Sequence, residues 1–390
     1  MKEKYDIVVV GGGPAGSWTA KHAAEGGASV LLLEKDREIG MPVRCAEGVS
    51  EIALKSFVKV KDRWIAQTIK GARLFAPDGT AVEPNVGGYG FILHRKLFDA
   101  DLAAMAAESG AEIMTKAYVY GLMIERGTVA GVKVRHLAKD YEIRSAIVVG
   151  ADGIESRVGR LAGIDTRTPP EDMDTCVQMT LTGIDIDPEY IEIHFGRQVA
   201  PGGFLWIFPK GPKAANVGLG ISGAFSKNKK AIVFLQEFIR KRFPTASVLT
   251  MVAGGVPTAP TLKTIVADGL MLVGDAAHQV NPLSGGGIGN ALIAGRIAGK
   301  VAAEAVRTGD VSAERLSEYP RDWHKAEGKN NERAYRIKKV VTKLSDEDLN
   351  KIAEILVDIP PAKRTLFRIM ETALFKHPKL ILEAAKIFKY

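Results

Sequence analysis

Residues 5–34 read YDIVVVGGGPAGSWTAKHAAEGGASVLLLE: an apolar run, a glycine turn, a stretch at helical spacing closed by two glycines, and a second apolar run ending on an acid. A short, wholly apolar run suits a buried strand, and a parallel return to the same sheet needs a helical crossover, so this order predicts strand, turn, helix, strand. Gly11, Gly13 and Gly16 form G-x-G-x-x-G at the strand-to-helix junction. Gly11 permits the tight turn, Gly13 lets backbone approach a pyrophosphate, and Gly16 lets helix and strand pack closely, while the helix N-terminus offers free N–H groups and the positive end of a dipole. Glu34 closes the second strand, where it can accept from a ribose 2′-hydroxyl in a charge-assisted bond worth about 1.5–3 kcal/mol. A dinucleotide is the ligand this segment predicts.

Behind that opening the chain has 390 residues, enough for two or three structural units. Its texture changes between about 165 and 265. Short β-rich runs there (CVQMTLTGIDI, YIEIHFG, GFLWIFPKG, AANVGLGIS) alternate with Gly and Pro around one helical stretch, KAIVFLQEFIRKRF. The pattern predicts an inserted antiparallel sheet with its own face to bury. We therefore expect an α/β protein: a Rossmann-like domain over 1–165 and 266–310, a substrate-side β-sheet domain over 166–265, and a helical region over 311–390. Residues 50–95 are a candidate contribution to the substrate side. In the helical region Ser345 and Asp348 predict a capping box, and Pro360 and Pro361 end that helix.

Two cysteines far apart, Cys45 and Cys176, exclude a disulfide scaffold or a cysteine-rich zinc site and fit a reducing compartment. The N-terminus does not read as a signal peptide, and no stretch approaches the roughly 20 apolar residues that span a bilayer, so the expectation is a cytoplasmic protein whose membrane contact is peripheral. The formal charge of +8 favours anionic partners, and half of that excess falls from Asp310 onward. His278 stands alone in its loop and reads as structural; no metal site is expected.

Two later segments choose among dinucleotides. VVGADGIES puts Asp152 and Gly153 after a strand, and LMLVGDAAHQVNPLSGGGIGNA puts Asp275 after another, ahead of a glycine-rich run, 285–289, that opens a helix. A second acid at a strand end can reach ribityl hydroxyls, and the glycines can bring backbone N–H groups against phosphate or a flavin ring. Together with the opening turn, these motifs resemble the flavoprotein superfamily of para-hydroxybenzoate hydroxylase, over most of residues 1–310. The resemblance implies FAD, held by Gly11, Gly13, Pro14, Ala15, Gly16, Glu34, Lys35, Arg44, Cys45, Ala46, Gly48, Arg95, Val119, Asp152, Asp275, Gly286, Gly287 and Ile288. Arg95 matches an arginine that the superfamily places near the cofactor; the alternative for it is a surface arginine at a helix start.

PVRCAEG, residues 42–48, and PGGFLWIFPKG, residues 201–211, narrow the family further. Together they resemble the geranylgeranyl reductase family, whose signatures are C-x-x-G near the flavin and P-x-x-Y-x-W-x-F-P in the substrate cavity. Here Cys45, Ala46, Glu47 and Gly48 supply the first. Pro201, Phe204, Trp206, Phe208 and Pro209 supply the second, with Phe204 in place of the tyrosine, which removes a hydroxyl and keeps an apolar wall. The resemblance implies saturation of isoprenoid double bonds in membrane ether lipids, with reduced FAD as hydride donor. An isolated alkene has no carbonyl to stabilise added negative charge, so hydride delivery needs a proton at the other carbon. Cys45, with an ordinary thiol pKa of about 8.5, reads as a positioning or proton-relay residue, or as a small residue packed on the ring. The aromatics read as a cavity wall or as core.

A prenyl chain gains about 0.8 kcal/mol per methylene kept out of water, so substrate should pass from membrane to protein without crossing bulk solvent. KLILEAAKIFKY, residues 379–390, has a charged face (Lys379, Glu383, Lys386) and an apolar one (Leu380, Ile381, Ala384, Ile387, Phe388), and suits either lipid headgroups or the protein's own surface. Lys329 and Arg333, with Arg336, Lys338 and Lys339, are candidate phosphate partners by charge. No second glycine fingerprint marks an NADPH domain, so NADPH docking transiently, a ferredoxin or another reductant are all open as electron donors, and nucleic acid is not expected. The alternatives are a flavin monooxygenase or halogenase on the same fold, and a non-catalytic FAD-binding membrane protein.

Overall fold

The structure is a computed structural model that describes residues 2–85, 88, 90–227 and 229–364. It divides into two compact units: Met1–Val43 with Arg95–Thr168 and Pro257–Glu332, and Arg44–His94 with Pro169–Val256 and the described residues from Arg333 on. Residues 44–94 thus fall with the β-rich stretch. The expected helical region is shared between the units, because its first part is core: Tyr319 and Trp323 are buried, the Tyr319 hydroxyl donates to the Leu272 carbonyl at 3.0 Å, and the Trp323 indole donates to Thr261 at 3.1 Å.

The first unit carries an eight-stranded sheet. Lys4–Val10 lies between Lys139–Gly150 and Val30–Leu33, parallel to both; Glu112–Met114 and Leu270–Leu272 extend the parallel set, Val266–Ala267 pairs antiparallel with Leu270–Leu272, and Thr128–His136 and then Ala117–Glu125 continue antiparallel from Lys139–Gly150. All four residues of Val30–Leu33 are buried, as are Ile147, Val148 and Val149, which is why these strands read as unbroken apolar runs. The helices Pro14–Glu25 and Ile288–Thr308 pack through small residues. A Cβ on Gly295 would stand 2.8 Å from the Ala15 carbonyl oxygen, and one on Gly299 would stand 2.6 Å from that of Thr19.

The second unit is built on a seven-stranded sheet in the order Ser247–Pro257, Met173–Thr182, Ala214–Ser222, Phe204–Pro209, Tyr190–His194, Gly71–Phe75, Ala81–Val82. The strands from Met173–Thr182 to Tyr190–His194 pair antiparallel in that order, as do Gly71–Phe75 and Ala81–Val82, and Tyr190–His194 pairs parallel with Gly71–Phe75. The helix Ala231–Arg242 covers one face, burying Phe234 and Leu235 with Val177, Met179, Leu181, Leu205, Ile207, Val217 and Leu219. Each such side chain contributes about 1.5–3 kcal/mol. The opposite face has period-two partners: Cys176, Gln178 and Thr180 on one strand, Phe204, Trp206 and Phe208 on another. A separate three-stranded sheet, Gly48–Ser50, Gly90–Leu93 and Ile65–Ile69, completes the unit with the helix Asp346–Val357. That helix opens on the expected box: Ser345 Oγ accepts from the Asp348 N–H at 3.1 Å, and Asp348 accepts from the Ser345 N–H at 2.9 Å.

Candidate functional site

In the first unit the glycine turn has the geometry its sequence demands. Gly11 has φ +109°, and a Cβ there would lie 2.3 Å from the Ala151 carbonyl oxygen; one on Gly16 would lie 1.9 Å from that of Gly11. Gly13 instead has nothing within 4 Å of a Cβ, which leaves its backbone open beside the helix that Pro14 and Ala15 begin. The Glu34 carboxylate ties the turn together, accepting from the Gly12 and Asp36 N–H groups at 2.8 Å each. Lys35 reaches Glu155 at 3.6 Å.

Asp152 sits next to this turn. Its Oδ2 accepts from the Val158 N–H at 3.0 Å, whereas Oδ1 is buried without a protein partner. Burial pushes its carboxyl above the usual range, against the lowering effect of backbone N–H donors. Burial does the same to Asp275, with Arg95 acting in the opposite sense. Arg95 opens the helix Arg95–Glu108 and holds Asp99 through two hydrogen bonds of 2.7 Å. Gly287 caps the long helix that begins at Ile288, and Gly286 accepts from the Asn281 N–H through its carbonyl. Val119 is a buried strand residue paired with Val134. His278 is buried, left-handed at φ +56°, and 3.1 Å from the Thr168 hydroxyl. Among the described residues no group of three or more His, Cys, Asp or Glu could hold a metal.

In the second unit the structure brings the two distant motifs together. Trp206 Nε1, which can only donate, meets Gln178 Oε1 at 3.0 Å; the amide's NH₂ therefore faces the other way, donating to the Cys45 carbonyl at 3.0 Å. Phe208 packs where a Cβ on Gly48 would be, 2.8 Å from its ring, which is the reason that position holds glycine. Between these contacts lies Glu47, 4% exposed, left-handed at φ +73°, paired with Lys210 and accepting from Asn216 Nδ2 at 2.6 Å. Asn216 is oriented in turn by the Thr180 hydroxyl at 2.8 Å. Burial, and then the Lys210 ammonium, push His94 below the usual histidine range.

The aromatic strand is two-faced. Phe195, Phe204 and Trp206 form edge-on pairs at 6.3 and 6.1 Å, while Leu205 and Ile207 belong to the core under the Ala231–Arg242 helix, and Pro209 falls in step with them. Pro201 is buried in the preceding turn, its carbonyl accepting from the Ser222 N–H. Cys176 is a second thiol on the open face, raised by burial and by Asp174. Of the basic row, Lys329 and Arg333 are exposed on the helix Lys329–Val341, but Lys338 turns inward, 6% exposed and 3.5 Å from Asp172. That pairing takes it out of the candidate phosphate set. The amphipathic residues of 379–390 lie outside the described residues.

Sequence reading placed Glu47 in C-x-x-G without giving it a role, and missed Gln178, Lys210 and Asn216. One signal was present: in CVQMTLT the polar Cys176, Gln178 and Thr180 alternate with Val177, Met179 and Leu181, which marks a strand with one polar face.

Residues 6–201 match the FAD dependent oxidoreductase family, and residues 172–256 match the geranylgeranyl reductase catalytic domain. The chain is an FAD-dependent oxidoreductase, and its residues fit that cofactor: the open Gly13 backbone, the partnerless Asp152 Oδ1 and the Gly287-capped helix leave donors and acceptors for it. More particularly, it belongs to the digeranylgeranylglycerophospholipid reductase family. It is 47% identical to the enzyme of that name from Methanosarcina acetivorans, covering 100% of this chain and 97% of the relative, and 45% identical to that from Methanocella arvoryzae, over 98% and 99%. A solved geranylgeranyl bacteriochlorophyll reductase-like protein from Thermoplasma acidophilum superposes with a TM-score of 0.93 at 34% identity, over 99% of this chain and 100% of that one. A flavin-dependent brominase variant, at 17% identity and a TM-score of 0.74, shares the fold alone.

Proposed function

We propose that the chain saturates the double bonds of geranylgeranyl chains on ether-lipid precursors, with Cys45 working at the reacting alkene. The single observation that carries this reading is the junction of the two reductase motifs, in which Gln178 links the Cys45 carbonyl to Trp206 and Gly48 receives the Phe208 ring. When bound and reduced by an external two-electron donor, FAD supplies the hydride. The protein must then hold the alkene, exclude water, and place a proton at the second carbon, so that each double bond gains one hydride and one proton. Phe204, Trp206 and Phe208 give the apolar wall. Cys45 is the proton-positioning group, its carbonyl held by Gln178. Glu34, Asp152, Asp275 and the two glycine segments hold the cofactor, and Lys329 and Arg333 are the cations offered to a phosphate.

The same reading places the protein peripherally at the cytoplasmic membrane surface. No helix among the described residues is long and apolar enough to cross a membrane. Val248, Leu249 and Met251 nonetheless stand 52, 60 and 61% exposed on the edge strand Ser247–Pro257, close in sequence to the basic helix end Arg240–Arg242. Apolar side chains beside cations suit an anionic lipid surface.

An anaerobic assay tests both parts. The purified protein, its flavin reduced chemically, is given a geranylgeranyl lipid in anionic vesicles or in detergent. Flavin reoxidation with a mass gain of two hydrogens per double bond is expected, faster from vesicles. Reduced flavin that stays reduced with that lipid, together with oxygen consumption stimulated by an aromatic substrate in a parallel aerated sample, overturns the assignment.

A further inference from the structure

Glu47 occupies the third position of C-x-x-G, where the motif itself makes no demand, yet it is the most constrained residue of the loop. It is a non-glycine residue at φ +73°, a backbone conformation that L side chains rarely adopt. Its carboxylate is buried, paired with Lys210 and hydrogen-bonded at 2.6 Å by Asn216, which is 1% exposed and also donates to the Ala46 carbonyl at 3.3 Å. Lys210 donates to the Leu93 carbonyl at 3.3 Å, and the Leu93 N–H donates to the Glu47 carbonyl at 2.9 Å, so both ends of the residue are held. The outcome at the remaining backbone group is specific: the Glu47 N–H points back and donates to Cys45 Sγ at 3.2 Å.

We propose that Glu47 is a positioning residue for the Cys45 thiol, its buried side chain holding a left-handed backbone that keeps one N–H on the sulfur. This rests on the reading of Cys45 as the group that works at the alkene. An N–H donor favours the thiolate over the thiol and, by engaging one sulfur lone pair, fixes the direction in which the S–H can point. A leucine or alanine at position 47 would lose the anchor, while glycine would permit the left-handed conformation without strain and without holding it. The carboxylate therefore acts through geometry, since its charge is already matched by Lys210. Among the described residues, the loop carries Arg44 and Glu47, His94 and Lys210 interact with Glu47, and Asp174 and Cys176 lie on the strand of Gln178.

The test compares Glu47→Gln with Glu47→Ala in the full-length, FAD-loaded protein. Both variants remove the carboxylate charge and both leave Lys210 in place; they differ in whether a side-chain oxygen remains for Asn216 to hold. Iodoacetamide alkylation of Cys45 is followed against pH, with peptide mapping to separate it from Cys176, alongside kcat and KM. The expected result is a midpoint about one pH unit higher in the alanine variant than in the glutamine variant, a tenfold change in thiolate at a given pH. The kcat should be about tenfold lower, at the small end of what a positioned proton carrier contributes, with KM little changed. Should the alanine variant lose its flavin or fail to fold, Glu47→Gly takes its place, since it removes the anchor without backbone strain. Identical alkylation profiles in the anchored and unanchored variants overturn the proposal. Because alkylation needs no turnover, a wild-type protein that reduces no alkene refutes the functional reading while leaving this comparison intact.

Discussion

The two large sheets solve different problems. In the first unit Lys4–Val10 and its parallel neighbours are buried on both faces, and the residues proposed to hold the cofactor stand at strand ends, where the glycine turn leaves backbone open. In the second unit the seven-stranded sheet buries one face under a helix and gives the other to a row of side chains, Gln178, Trp206, Asn216 and Phe208, each oriented by a neighbour from another strand or from the Cys45 loop. At Gly11 and Gly16 an added Cβ would meet backbone, which cannot step aside, whereas at Gly48 and Gly218 it would meet an aromatic side chain, which can.

The largest effect should come from the backbone site. A Cβ on Gly16 would fall 1.9 Å from a backbone oxygen that cannot retreat without opening the turn. Gly16→Ala should therefore abolish FAD retention, and absorbance at the flavin bands after gel filtration checks it; a yellow, stoichiometric Gly16→Ala protein would break the comparison. A smaller and different loss is expected from Gly218→Ala. There a Cβ would meet the Trp206 ring at 2.6 Å, and the indole must leave Gln178. Flavin should stay bound while kcat/KM for the alkene falls by about 10²-fold, the scale of a 1 Å misplacement near a reacting group; loss of flavin in this variant would merge the two classes.

The smallest effect concerns stability alone. His22, on the Pro14–Glu25 helix, is lowered to about 4 by burial, which outweighs the Glu25 carboxylate 2.8 Å from Nδ1. The cause is visible in Nε2, which is buried with no partner and would have nowhere to donate if protonated. A histidine whose folded pKa is depressed binds its proton first in the unfolded chain. The contribution is therefore intact above about 6.5 and lost as pH falls towards 4, up to about 3 kcal/mol. Urea midpoints at pH 7 and pH 4.5 should converge in His22→Leu relative to wild type; equal pH dependence in the two proteins would show the ring to be solvated.

The same division governs what could be read in advance. The glycine turn, Glu34 and the Ser345 box were legible because each is a local rule linking residues within one or two turns of chain. The aromatic strand was legible as a pattern, though only Phe204, Trp206 and Phe208 share a face, and the period-two alternation that separates them from Leu205 and Ile207 was in plain view. Glu47, Lys210 and Asn216 carried no such mark. Their pairing depends on register across strands more than 160 residues apart in sequence, and a charged residue inside C-A-E-G looks, by composition, like any solvated acid. Lys338 failed in the opposite direction: its helix face is set by Asp172, far away in the chain.

That separation also has a consequence for how the chain is made. At about 5–20 residues per second, roughly ten to thirty seconds pass on the ribosome between the appearance of Glu47 and that of the lysine and asparagine that neutralise and grip it. Until then the loop bearing the thiol has no counter-charge and no fixed shape, so the nascent protein is complete as a catalyst only after its second unit has emerged, well behind the nucleotide turn at its front.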